Sequence, residues 1–472
     1  MDNIVFYTQA YNAEKTLGMA IESILGQTFG DFVYYIFDDG SVDGTKDVIL
    51  EYAKRDSRIV AELRDMNHKL TPEKTQYFIT HLKSLLRSDD RGGYWAICDA
   101  DDEYKPDFLE KMLAFIKENE LDVAACGFDF IDVKTGTMLG DWQVKGDLLL
   151  GGGGFSDHFP QYHNILRTMT GKLFSLSTLR KCSFANVKEL MNGSDTVFTT
   201  EAFSHAERAG VLAGTLYKYY YYPSSVSTAF YDKRIASDRM LDDIARDFLI
   251  GKSGEVNSRN DAFLNKVYFD HIENTMGILF KTKMPDAEKI AGLHDIFTSG
   301  HTARLIAGEA LGEQKHLLFD KVAQWLLLSG HFAQIGAAVQ VVEILAAMGP
   351  QAAFLSDVSP MLSDLSPKAA SFMRHAIAAV LLGDMDAALD EVMRIAGIEI
   401  PDDCSEHYLL FAQNICAAAE YAEGWIIFQK EYANFLIETG RTNEALEKIK
   451  ELEELLPDDE EVRAFRKRTA SE

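Results

Sequence analysis

The chain has 472 residues, 47% of them hydrophobic and 25% charged, which suits two or three globular domains with buried cores. A formal net charge of −26 disfavours nucleic acid and anionic lipid as general partners, while a phosphate-bearing small molecule remains open wherever a metal or local basic group offsets that charge. The five cysteines are dispersed with no CxxC, no apolar run approaches the ~18 residues of a membrane helix, and no basic segment leads into an apolar leader, so a cytoplasmic protein with reduced thiols and no membrane span is expected.

Taken in chain order, the first part alternates strand-like and helix-like segments. "IVFYTQ" is a compact apolar run, and Leu17, Ile21, Ile24 and Leu25 follow at helical spacing. "FVYYIF" is a second buried strand, stopped by "DDGSVDGT". Val48, Ile49 and Tyr52 suggest a helix, "RIVAEL" a third strand, and Phe78, Leu82, Leu85 and Leu86 another amphipathic helix. "YWAIC" is the next strand, and Pro106 then opens a helical face of Phe108, Leu109, Met112, Leu113 and Ile116. Strands buried on both faces and joined by helices imply a mostly parallel α/β sheet, and such sheets bind ligands beyond the carboxyl ends of their strands. Three polar clusters sit at those ends: "TQAYN" at 8–12, "DDGS" at 38–41 and "DADD" at 99–102.

From about residue 255 strand-like runs vanish and helix-length, Ala- and Leu-rich segments follow one another. A loose repeat aligns Gly383, Ala388 and Pro401 with Gly440, Ala445 and Pro457, and Gly330 marks a weaker copy. The last unit resembles a tetratricopeptide repeat: a glycine ends one helix, an alanine packs where two helices cross, and a proline closes the second. A stabilising bundle and a partner-binding surface both fit this half.

An acidic run at a strand end is most often a solvated turn or a helix start. Two Asp-rich clusters at neighbouring strand ends would repel one another unless a cation or a set of donors lies between them. Hard carboxylate oxygens suit Mg²⁺ or Mn²⁺, which in turn suit a diphosphate.

In order, "YNAEKTLGMAIESILGQTF", "DDGSVDGT", "DADDEYKPDFLEKM", "GKLFS", "GSDTVFTTEAF" and "YKYYYYPSSVST" resemble glycosyltransferase family 2, with the GT-A fold, over roughly residues 1–230. The resemblance implies an inverting, metal-dependent transferase that moves a sugar from a nucleotide-diphosphate donor, UDP being the commonest in the family, to a hydroxyl on a glycan or protein. Residues Thr8 and Tyr11 would line the base and Asp38 or, by preference, Asp39 would accept a hydrogen bond from it. Asp99 would reach the ribose, Asp101 would bind Mn²⁺ or Mg²⁺, and Asp102 would assist the metal or hold Asp101 in place. Asp195 would be the general base, with Glu201 in reserve; a helix N-cap is the structural reading of Ser194 or Asp195. Two departures stand out. The family's Ala-Arg-Asn element is missing, with Lys69 or Lys74 as substitutes, and Ser194 replaces the acid that usually precedes the base.

The expected layout is a GT-A domain over 1–235, a helical linker over 236–290 and an all-α, tetratricopeptide-like domain over 291–472. The helical domain could bind a protein or peptide acceptor or drive homodimerisation. The competing reading is a catalytically degenerate nucleotide-sugar scaffold or sensor acting through that domain. "GGGG" at 151–154 reads as a flexible hinge, His158 and His163 as loop histidines with a chance of touching substrate, and Lys172 as a residue frequent in the family without an assigned role.

Overall fold

The computed structural model describes residues 3–65, 78–84, 86, 92–187, 193–222, 230, 233–307, 365–381 and 385–469. Its chain divides into two compact units, Met1–His271 and Ile272–Glu472.

The first unit is built on one ten-stranded sheet. Its strands are β1 (Asn3–Ala10), β2 (Val33–Asp38), β3 (Ile59–Leu63), β4 (Gly93–Ile97), β5 (Glu103–Tyr104), β6 (Val123–Asp132), β7 (Met138–Trp142), β8 (Leu148–Gly151), β9 (Lys172–Ser175) and β10 (Arg208–Tyr221). The order is β3-β2-β1-β4-β9-β6-β10-β5, with β7 on β6 and β8 on β10. Strands β3, β2, β1 and β4 run parallel, as the alternating pattern requires. Strand β9 inserts antiparallel between β4 and β6, β10 then runs parallel to β6, and the remaining pairings are antiparallel, so the sheet is mixed.

Side-chain alternation along β1 explains the layering. Ile4 and Phe6 face one way, onto α1 (Leu17–Leu25), α2 (Thr45–Arg55) and α4 (Phe108–Asn119). Val5 and Tyr7 face the other way, onto the helical residues 78–84 (α3), α7 (Leu176–Lys181) and α8 (Ser194–His205). Trp95 and Ile97 of β4 join that second layer with Phe78, Phe174 and Phe198. Helix α4 starts at Phe108, with Asp107 as its cap, so Pro106 precedes the helix; its carbonyl instead accepts from the Thr28 amide. Helices α5 (Gly154–Asp157) and α6 (Phe159–Tyr162) are single turns, and "GGGG" is the corner between β8 and α5. Within the stretch expected to be a linker, α9 (Arg234–Ser253) packs Phe248 and Leu249 into the sheet unit's core, and Leu264 of α10 (Ser258–Lys281) joins them.

The described part of the second unit is helical: Asp286–Phe297, Gly300–Ala307, Pro367–Phe372, Arg374–Leu381, Met385–Ala396, Asp402–Ala418, Ala422–Glu438, Thr442–Leu455 and Glu460–Thr469. Gly440, at φ 72, takes the left-handed turn after the helix ending at Glu438, and Ala445 is fully buried against Ala433, Leu436 and Ile449. Pro457 follows the next helix. Gly330 and Gly383 lie outside the described residues. No described helix is long and apolar enough to cross a membrane.

Candidate active site

Register places the three polar clusters in one row. Ala10 at the end of β1 pairs with Asp38 at the end of β2, and Tyr7 pairs with Ile97 at the end of β4. The Asp39 amide donates to the Ala10 carbonyl and the Cys98 amide to the Tyr7 carbonyl, each at 2.9 Å. Tyr11, Asp39 and Asp99 therefore leave the same edge of the sheet side by side.

The first two loops are laced together. Asn12, at φ 50, accepts from the Val42 amide at 3.0 Å and donates its own amide to Ser41 Oγ at 2.9 Å. The Ala13 amide donates to Thr45 Oγ1, and the Gly44 amide to Glu14 Oε2, both at 2.8 Å. Asp38 is fully buried and accepts from the Gly40 and Ser41 amides, so it shapes the turn, with Gly40 at φ 74 completing it. Asp39 is paired with Arg64 at 3.3 Å, a cation from the end of β3 that sequence reasoning had not connected to it. Tyr11 is 38% exposed at the mouth of the row. Thr8 departs from expectation: its side chain is buried and its hydroxyl donates to the Cys98 carbonyl at 2.8 Å beside Tyr34 Oη, tying β1 to its neighbours inside the sheet.

In the DADD turn the four residues separate into roles. Asp102 is 1% exposed, and both carboxylate oxygens accept from β10: Oδ2 from Tyr217 Oη at 2.9 Å, Oδ1 from the Tyr220 amide at 2.8 Å. The Asp99 amide donates to the same Tyr217 hydroxyl. Asp102 thus fastens the turn to β10. Asp99 is exposed and Asp101 half-buried. Desolvation first, then the charges of Asp195 and Asp101, push Asp99 above the usual carboxylate range; desolvation does the same to Asp101.

Asp195 comes near Asp99 from a distant part of the sequence, in the first turn of α8. Gly193, at φ 88, occupies the cap position, where a Cβ would collide with Leu241, and α8 has no side-chain capping bond. The Asp195 carboxylate is therefore not a cap; Ser194 Oγ donates to its Oδ1 at 3.3 Å. Its proton affinity is raised by burial and lowered by Ser194 and Lys172. The reserve candidate Glu201 is overturned: its carboxylate accepts from the Ser183 amide and hydroxyl and from the Phe184 amide, and so anchors residues 183–184. His163 is buried against Phe159 and Phe263, and burial pushes it down to about 3, so it is a neutral core residue. Lys69, Lys74 and the "PSSVST" segment lie outside the described residues.

The donors fit a divalent cation of the hard, oxygen-preferring kind. Two carboxylates that raise the proton affinity of a third create an electrostatic demand that a cation answers. Asp99, Asp101 and Asp195 are not among the three-ligand groups whose atoms lie within 4.8 Å of one another in the described residues. Sequence reasoning missed Tyr217, Arg64 and Asn12; for Tyr217 the signal was there, as a tyrosine-rich strand cannot bury a hydroxyl without a partner.

Residues 7–182 match the family model "Glycosyl transferase family 2". Among curated proteins, the putative teichuronic acid biosynthesis glycosyltransferase TuaG of Bacillus subtilis is 33% identical over 123 residues, covering 26% of this chain and 43% of that one. The uncharacterized glycosyltransferase EpsJ of the same organism is 24% identical over 219 residues, 46% of this chain and 60% of that one. The chain thus spans about half the length of the curated relatives it matches. Among solved structures, S. aureus TarS 1-349 in complex with UDP-GlcNAc aligns over 85% of this chain and 93% of that one at 17% identity, with a TM-score of 0.39.

Proposed function

The chain carries a glycosyl transferase family 2 domain, and from that premise we propose that it is an inverting, divalent-metal-dependent glycosyltransferase that moves a sugar from a nucleotide-diphosphate donor, by preference a UDP-sugar, to a hydroxyl acceptor on a glycan or protein. The observation that carries this reading is that Asp195, from a distant part of the sequence, comes close enough for its charge, with that of Asp101, to act on Asp99 at the strand ends. At that edge of the sheet Tyr11 offers an exposed flat ring for a base, while Asp39 is fully buried and paired with Arg64. Asp99, at the end of β4, would reach a ribose hydroxyl. A Mn²⁺ or Mg²⁺ ion held by Asp101 would offset the charge that accumulates on the departing nucleotide diphosphate.

Direct displacement needs an acceptor oxygen that loses its proton as it attacks. The acceptor O–H proton passes to Asp195, the oxygen bonds to the anomeric carbon, and the bond from that carbon to the diphosphate oxygen breaks, leaving with its electron pair. An aspartate whose proton affinity is raised holds that proton better than an ordinary surface carboxylate would. No assigned part of the chemistry falls to the helical unit; we read it as the surface that selects a partner or acceptor.

Thermal unfolding with UDP-, GDP- and dTDP-sugars, with and without Mn²⁺, tests this on the wild type and Asp101→Asn. The expected result is stabilisation by one nucleotide class that requires Mn²⁺ and disappears in the variant. No shift with any donor under any metal would sink the reading. A shift without transfer or hydrolysis would leave a nucleotide-sugar-binding protein.

A further inference from the structure

Lys172 is 0% exposed, in the centre of the sheet on β9, and its ammonium is held by oxygens alone. Nζ donates to the Thr168 carbonyl at 2.7 Å, to Thr168 Oγ1 at 3.0 Å and to the Thr170 carbonyl at 2.9 Å. The Thr168 carbonyl also accepts from Thr199 Oγ1 at 2.8 Å. Thr199 lies one turn beyond Asp195 on α8, so the two share a helical face. One carbonyl thus joins the buried ammonium to the helix that carries the aspartate.

Tying down residues 168–170 does not need a charge. A hydroxyl or amide would satisfy the same carbonyls without the several kcal/mol that desolvating an ammonium costs. The groups facing Lys172 are Asp195 from α8, the Cys126 thiol from β6, and the Phe128 ring, whose centroid is 5.7 Å from Nζ. Asp195 is faced in turn by Asp99 from the DADD turn, Tyr219 from β10, Ser194 from its own turn and Lys172 from β9. In that set Lys172 supplies the positive charge and Asp99 the opposing negative one.

We propose that Lys172 is the positioning residue of the base: its buried side chain, anchored on the segment against which α8 rests, holds Asp195 in place. This rests on Asp195 being the base. The proton affinities agree with the geometry, since Lys172 lowers that of Asp195 while burial brings its own down to about 7. Lys172 gives up no proton during transfer; it shapes the acceptor of the proton.

The test has two arms on the full chain. Denaturant unfolding of the wild type, Lys172→Met, Asp195→Asn and the double variant at pH 6–8 reads the coupling whether or not the protein turns over. The expected result is that Lys172→Met is less destabilising when Asp195 is already Asn. The second arm follows UDP release from UDP-N-acetylglucosamine and UDP-glucose with Mn²⁺ against pH. Lys172→Met should lower kcat at least tenfold with donor KM unchanged and move the acid limb of kcat/KM up by about one pH unit, and Lys172→Arg should restore the limb. Additive stabilities overturn the proposal, as does a uniform drop in rate with no movement of the acid limb. Coupling without any turnover would count for Lys172 and against glycosyl transfer. Should Lys172→Met not fold, Lys172→Gln, which keeps hydrogen-bonding atoms and drops the charge, replaces it. Failure of both single variants with folding of the double one supports the proposal; failure of all three makes the lysine purely structural and overturns it.

Discussion

The two units handle charge in opposite ways. In the sheet unit, charged groups go under the surface and are met there by hydrogen bonds: Asp102 from β10, more than a hundred positions away, Asp38 from the amides of its own turn, and Lys172 from the nearby Thr168 carbonyl. In the helical unit, charges stay at the surface and pair at helical spacing or across neighbouring helices, as in Lys448–Glu451, Arg441–Glu444 and Lys430–Asp459. Burying a charge is unfavourable unless its hydrogen-bonding capacity is met, so a fold that does it repeatedly in one region marks where geometry is held for chemistry. Among its described residues the helical unit shows this once, at Lys289, which is 7% exposed and donates to the Phe280 carbonyl at 3.3 Å.

That contrast can be broken most forcefully at Asp195. Asp195→Asn removes the proton acceptor while keeping shape, and should lower kcat by about a thousandfold with the donor-induced thermal shift intact. A rate within tenfold of wild type would place the base elsewhere. Asp102→Asn comes next. It sets an amide against two β10 donors and should destabilise the sheet unit by about 2 kcal/mol in denaturant unfolding, with a weaker response to Mn²⁺ because Asp101 loses its anchor. Lys448→Ala in the helical unit should leave the unfolding midpoint where it was; a loss comparable to that of Asp102→Asn would erase the distinction between the units.

The mildest test is proton linkage. Asp99, Asp101 and Asp195 all have their folded proton affinity raised, so protons compete with a cation for them. Stabilisation by Mn²⁺ should be small near pH 5, grow as the pH rises and level off above about 7, where Asp99 has lost its proton. Thermal shifts across that range check it, and a response independent of pH would detach the metal from these carboxylates.

Much of the sheet unit could be read in the sequence because its strands and helices announce themselves by period and its clusters fall at strand ends. "DDGS", "DADD" and "GSDTVF" were legible as candidates for that reason. Which carboxylate does what was not. Asp38 and Asp39 are neighbours of one type, and a turn that folds the first onto Gly40 and Ser41 while pairing the second with Arg64 is settled by backbone conformation, not composition. Asp102 is likewise assigned by β10, more than a hundred positions later. Thr8 misled because a strand-end position says nothing of which face the hydroxyl takes, and here it turned inward to Cys98. Glu201 misled because helix α8 puts it near Ser183 instead.

The lacing of residues 12–14 to residues 41–45 has a consequence for recognition. Asn12, Ser41, Thr45 and Glu14 fix these two loops with contacts made entirely within the protein. The walls on that side of the base position are in place before a nucleotide arrives, so little conformational freedom is lost when one enters. In the donor site proposed above, affinity at the base end would then be set by fit against a standing surface.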